Sequence, residues 1–341
     1  MRNAFIQTLT EVAARDPRVT LVVGDLGFGV VTDFAKRFPG QFLNVGVAEQ
    51  NMTAVAAGMA LAGRIVFAYS IANFPTLRCL EQVRNDVCYQ NANVTIVAIG
   101  GGMAYGALGA THHATEDLAV MRTMPGMKVV APGDPREAAA ATRAAAAGIG
   151  PTYVRLGRAD EPIVHTGEVP WALGRAIPVR EGRRLTLIST GEMLATAVGA
   201  ADRLADRGCD VRVLSMHTLK PLDGEAVVEA ASQTGTIVTL EEHSVIGGLG
   251  GAVAETLSEA QLGNVRFQRI GLPSEFTKEV GDQEYLRRHY GLDVDSVVRR
   301  VAELLKQDCP AAPEGAGGED GAGNAESPPD RRITTSTEDS R

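Results

Sequence analysis

Short apolar runs that end in turns alternate with helical patterns along most of the chain, and this rhythm restricts the possible folds most severely. TLVVGDLG (20–27), NVTIVAIGGG (93–102) and MKVVAPGD (127–134) read as strands, with LEQVRNDVCYQ (80–90) and PREAAAATRAAAAG (135–148) as helices. The rhythm resumes with strands at RLTLIST (184–190), CDVRVLSM (209–216), GTIVTLEE (235–242) and VRFQRIGL (265–272). Helices fall across 193–207, near 224–233 and from GGLGGAVAETL (247–257). A strand, a helix and a second strand pack together most simply as parallel neighbours under a covering helix. The expected class is α/β, with two successive mostly parallel-sheet domains. Pro162, Gly167, Pro170, Gly174 and Pro178 break the pattern, so the reading is a first domain over 1–165, a linker over 166–182 and a second domain over 183–307. Residues 308–341 hold almost no large apolar side chains and are expected to be disordered.

Composition removes several function classes. A net charge of −8 gives no basic footprint for nucleic acid. No run approaches the roughly 18 apolar residues that a membrane span needs. The opening MRNAFIQTLTEVAARD has the pattern of an amphipathic helix and lacks the apolar core of a signal peptide. Cys79, Cys88, Cys209 and Cys309 form no Cys-x-x-Cys pair and read as reduced thiols of a cytoplasmic protein.

In FLNVGVAEQNMTAVAAGMALAG (42–63) a short strand, Phe42 to Val47, runs into an Ala- and Met-rich helix. Glu49 is the only ionisable side chain between Arg37 and Arg64. Two readings stand. A carboxylate is stabilised at a helix start by the exposed N–H groups and the dipole. Alternatively, a solitary carboxyl in an apolar wall gains proton affinity and can act as an acid near neutral pH. The Gly-rich loop GGGMAYGALGATHHATED (100–117) delivers His112 and His113, which cannot both face one way, and no third ligand sits at zinc spacing. Arg155 and Arg158 in YVRLGR follow a strand and suit either an anionic ligand or an ion pair. The glycines at 247, 248, 250 and 251 suit close helix–strand packing or a weak anion cradle.

Taken in order, NVGVAEQN, YS…F…EQVRND, GALGATHHATED, PTYVRLGR and LEEHSVIGGLGGAVAE resemble the C-terminal half of transketolase and of deoxyxylulose-phosphate synthase. The resemblance implies a pyrimidine-binding domain followed by a transketolase C-terminal domain. It implies the separate C-terminal subunit of a split transketolase, moving a two-carbon ketol unit between sugar or sugar-phosphate substrates. Thiamine diphosphate would be shared with an N-terminal-half subunit that holds Mg²⁺, in a dimer of heterodimers. Glu49 would pair with the pyrimidine nitrogen N1′ and serve the proton shift that activates C2. His112 would contact substrate oxygens, while Phe74, or Tyr69 or Phe67 in its place, would stack on the pyrimidine. Arg2 and Arg158 would grip a sugar phosphate, as would Arg155 by analogy with the synthase. Three positions depart from transketolase: Leu108 replaces an acidic residue, Gly100 a phosphate-contacting histidine and Gly29 a serine, which puts the standard pentose-phosphate pair in doubt. Two other readings are the β subunit of a 2-oxoacid dehydrogenase E1 component and a non-catalytic assembly partner.

Overall fold

The computed structural model describes residues 1–305; the expected disordered tail over 308–341 and Cys309 lie outside the described residues. Among the described residues, twelve strands occur in chain order: β1 (Val19–Val23), β2 (Phe42–Asn44), β3 (Ile65–Ile71), β4 (Val94–Ile99), β5 (Lys128–Val130), β6 (Thr152–Leu156), β7 (Ile177–Arg180), β8 (Leu185–Ser189), β9 (Val211–Ser215), β10 (Thr218–Lys220), β11 (Thr236–Ser244) and β12 (Arg266–Leu272). They build two sheets, ordered β10-β5-β6-β4-β3-β1-β2 and β12-β11-β8-β9-β7. Among these strands, β10 on β5 and β7 on β9 pair antiparallel and the rest parallel. The mostly parallel α/β class read from the strand–helix rhythm is what forms.

Two-residue periodicity sorts the side chains of the first sheet. Phe67 and Tyr69 of β3 join Phe5 and Leu9 of the Arg2–Ala13 helix and Ala138 and Ala141 of the Pro135–Ala147 helix in one layer. Val66 and Ala68 face the other layer with Met52 and Ala56 of the Glu49–Leu61 helix. That second layer continues to Leu214, Val227 and Val253, so one apolar core joins the two sheets. The far face of the second sheet packs Leu187, Val213 and Leu240 under Leu194, Leu204 and Val301.

Two local readings are corrected, and one strand, β10, is missed by the sequence reading. The strand expected over 42–47 ends at Asn44, whose side-chain oxygen accepts from Asp25 N and Gly46 N and closes a turn at the end of β1. The helix expected over 80–90 is a single turn at Leu80–Gln82 followed by a π-helical stretch, Val83–Cys88. A three-residue strand from the second half, β10, crosses to cover the outer edge of β5, a pairing that shields an edge otherwise open to other chains.

A buried carboxylate ties the halves together. Glu137 accepts from Gly133 N at 2.5 Å, Ser215 Oγ at 2.6 Å and His165 Nε2 at 2.7 Å. The hydrogen bond to Glu137 raises the pKa of His165 above the usual histidine value, against the opposing effect of its burial. A raised folded-state pKa gives stability that is fully present below the unfolded value and lost as pH rises through the folded one. His165→Gln keeps a donor but not the charge. In urea unfolding it should therefore cost more stability at about pH 6 than at about pH 8.5. An equal cost at both would show that the pair carries no charge.

Candidate active site

The carboxyl ends of the parallel strands β1, β2, β3, β4 and β6 lie along one edge of the first sheet, which is where open α/β sheets hold their ligands. Every candidate from the first half except Arg2, Arg155, Phe67 and Tyr69, the last two lying inside β3, follows one of those strands. Glu49 opens a helix just past β2, Phe74 lies just past β3, His112 sits in the loop after β4 and Arg158 follows β6.

Three of these residues stand in a row, joined by one the sequence reading missed. Glu49 is 3% exposed, but it is not solitary: Arg78 Nη1 donates to its Oε2 at 2.7 Å. The Arg78 guanidinium also lies 4.6 Å over the centre of the Phe74 ring. The Phe74 ring meets His112 edge-on at 5.3 Å between centroids. His112 is fixed in turn by its neighbour, with Thr111 Oγ1 at 3.1 Å from Nδ1, and Asn73 Nδ2 donates to the Thr111 carbonyl at 2.8 Å. The expectation of an isolated carboxyl is thus corrected to an ion pair whose two sides differ. The Arg78 side chain is 49% exposed, so the cation can move away while the carboxylate stays buried. Arg78 is the only Lys or Arg between Arg64 and Arg84, and that isolation was the available signal.

His113 is more deeply buried than its neighbour His112. It is buried beside a cavity of about 620 Å³ lined also by Thr111, Glu116, Phe276 and Tyr290. Burial lowers its pKa and favours the neutral imidazole. Among the described residues no group of three or more His, Cys, Asp and Glu side chains converges on a metal position.

Two expected site residues lie elsewhere. Tyr69 is 2% exposed and stacks on Phe5 with centroids 6.0 Å apart. Reaching a ligand would break an aromatic pair worth about 0.5–1.5 kcal/mol beyond its burial. Its neighbour Phe67 packs in the same layer, which leaves Phe74 as the aromatic of the row.

Arg155 is not free to grip a substrate. It is buried, with Nε 3.0 Å from Asp117 Oδ2 and Nη2 donating to the carbonyls of Ala114 at 2.8 Å and Glu242 at 2.9 Å. Removing one member of a buried pair costs about 3–5 kcal/mol. Arg155→Met should therefore lower the chain's melting temperature markedly. An unchanged melting curve with a raised substrate KM would return Arg155 to the substrate.

Arg158 remains exposed, its guanidinium 5.2 Å over the ring of Tyr105. Arg2 is half-buried and its Nε, shielded from solvent, has no hydrogen-bond partner. Leu108, in the place of an acidic residue, is 55% exposed.

Known families account for both halves of this architecture. The model of the transketolase pyrimidine binding domain matches residues 1–162, and that of the transketolase C-terminal domain matches residues 174–297. The chain belongs to the transketolase family, whose members use thiamine diphosphate. It is 41% identical over 308 residues to a subunit of the apulose-4-phosphate transketolase of Phocaeicola vulgatus, covering 90% of this chain and 97% of that one. It is 39% identical to a subunit of the 6-deoxy-6-sulfo-D-fructose transketolase of a Clostridium species, covering 90% and 95%. A solved structure described as a split gene transketolase, inactive beta4 tetramer, superposes with a TM-score of 0.83 at 40% identity, covering 89% of this chain and 98% of that one.

Proposed function

We propose that this chain is the pyrimidine-binding subunit of a two-chain transketolase that moves a two-carbon ketol unit between sugar-type substrates. The observation that carries the reading is the row of Glu49, Phe74 and His112 at the carboxyl edge of the parallel sheet. These residues fit one half of a thiamine diphosphate site: a buried carboxyl for the pyrimidine nitrogen, an aromatic ring beside it and a histidine for substrate oxygens. When bound, the cofactor supplies the carbanion chemistry. Glu49 holds or shares the proton at the pyrimidine nitrogen, and Arg78, the exposed member of the pair, yields or shares the carboxylate. His112, oriented by Thr111, donates to or accepts from substrate hydroxyls. Among the described residues no group of three or more His, Cys, Asp and Glu side chains could hold a metal ion. We assign Mg²⁺ and the diphosphate to a partner subunit of the N-terminal-half kind, in a dimer of heterodimers. The relatives named as subunits support a partner. Buried thiols at Cys79 and Cys88 support a reducing, cytoplasmic setting.

The test is reconstitution with the partner, thiamine diphosphate, Mg²⁺, a ketose donor and a panel of aldehyde acceptors. Ketol transfer is expected. With Leu108 where the family places a carboxylate, an acceptor other than ribose 5-phosphate should rank first. A panel led clearly by ribose 5-phosphate would remove Leu108, Gly100 and Gly29 as marks of a changed substrate.

A further inference from the structure

Gly100, which the family resemblance aligns with a phosphate-contacting histidine, is not simply a lost contact. Its φ is +74°, and a Cβ built there would lie 2.2 Å from Cε2 of Tyr105. The space beside Gly100 is filled by the ring of Tyr105, which sits five residues further along the same loop and just ahead of the Gly106–Leu108 turn. Any side chain at position 100 would expel that ring, so the glycine and the tyrosine form one arrangement.

Three further observations give the arrangement a direction. Arg158 stands 5.2 Å over the Tyr105 ring, an attractive cation–π placement that fixes phenol and guanidinium side by side. Arg2 is close enough for its charge to act on Tyr105 together with that of Arg158. The phenolic oxygen of Tyr105 and the Nε of Arg2 have no hydrogen-bond partner among the described residues. Partial burial raises the pKa of Tyr105, with the two arginines opposing, so the phenol stays protonated and remains a donor at neutral pH.

We propose that Tyr105 is a specificity-determining residue that donates its phenolic hydrogen, alongside Arg2 and Arg158, to a tetrahedral oxyanion at the far end of the sugar substrate. The inference rests on the transketolase reading for the placement of that substrate. A phosphate and a sulfonate share the required chemistry: negative charge spread over several oxygens, which suits two guanidinium groups and one neutral donor. The loop has exchanged an imidazole on its first residue for a phenol from its sixth, and this reshapes the anion pocket without emptying it.

The experiment compares wild type, Tyr105→Phe and Arg158→Met in the reconstituted pair. The acceptors are an aldose phosphate, its unphosphorylated aldose and an aldose sulfonate. Tyr105→Phe keeps the ring over Gly100 and removes one donor to an anion. It should raise KM for an anionic acceptor roughly tenfold with kcat retained, and leave the neutral aldose unchanged. Arg158→Met should act on the same acceptors more strongly. Which of phosphate and sulfonate responds more identifies the native anion. Equal effects on charged and neutral acceptors, or no effect on any, would overturn the assignment. If the wild-type pair shows no ketol transfer, the functional reading fails, and calorimetry on the full chain decides the anion site alone. Inorganic phosphate or sulfate should then bind wild type and bind Tyr105→Phe more weakly. Absence of binding, or equal binding to both, would refute the site.

Discussion

Replacing Glu49 by glutamine should lower turnover of the reconstituted pair by about 10²–10⁴-fold, the usual worth of a positioned acid–base group. Glutamine matches the size of the carboxyl and can accept a hydrogen bond from Arg78, so the Glu49–Leu61 helix keeps its place. What it cannot do is hold a proton and give it back. Assembly and cofactor binding should survive, because the proposed diphosphate grip belongs to the other subunit. Hydrogen–deuterium exchange at C2 of the added cofactor should slow in parallel with turnover. If both rates stay near those of wild type, Glu49 is a carboxylate stabilised by a helix start and by Arg78. The bland reading of that position would then be the right one.

The pair with Arg78 shows where a linear reading stops. Glu49 stood out because the other 25 residues between Arg37 and Arg64 carry no charge, and that emptiness was visible in sequence. Its partner lies 29 residues away, past β3, and only the fold brings the two together. The strand–helix rhythm was legible because each run was long enough to show its period. β10 was not, since three residues carry no periodicity and their partner, β5, is some 90 positions earlier. The displaced candidates were partly readable. Tyr69 alternates in step with Phe67 along β3, so both had to face the same layer, and that layer proved to be the one under Phe5. Arg155 lies within a run of five buried residues on a strand paired on both sides, where a cation survives only if the interior supplies its partners. Asp117 and two carbonyls do so. Family likeness supplied a role for that arginine; burial removed it.

Activity should be absent from the chain by itself. Glu49, Phe74 and His112 are assigned to the pyrimidine and the substrate, and the metal and diphosphate anchor is assigned to the partner subunit. Losing that anchor removes most of the fixed charge that would hold the cofactor in register with Glu49. Orientation of a reacting group is worth several powers of ten in rate, so a partly held cofactor turns over little.

The most direct test is a titration of the purified chain with an N-terminal-half partner in the presence of thiamine diphosphate and Mg²⁺, following ketol transfer. No detectable transfer is expected at zero partner, then a linear rise that saturates at one partner per chain. Turnover by the chain alone, or a mixture that stays silent at every ratio while both proteins are folded and the cofactor is bound, would contradict it.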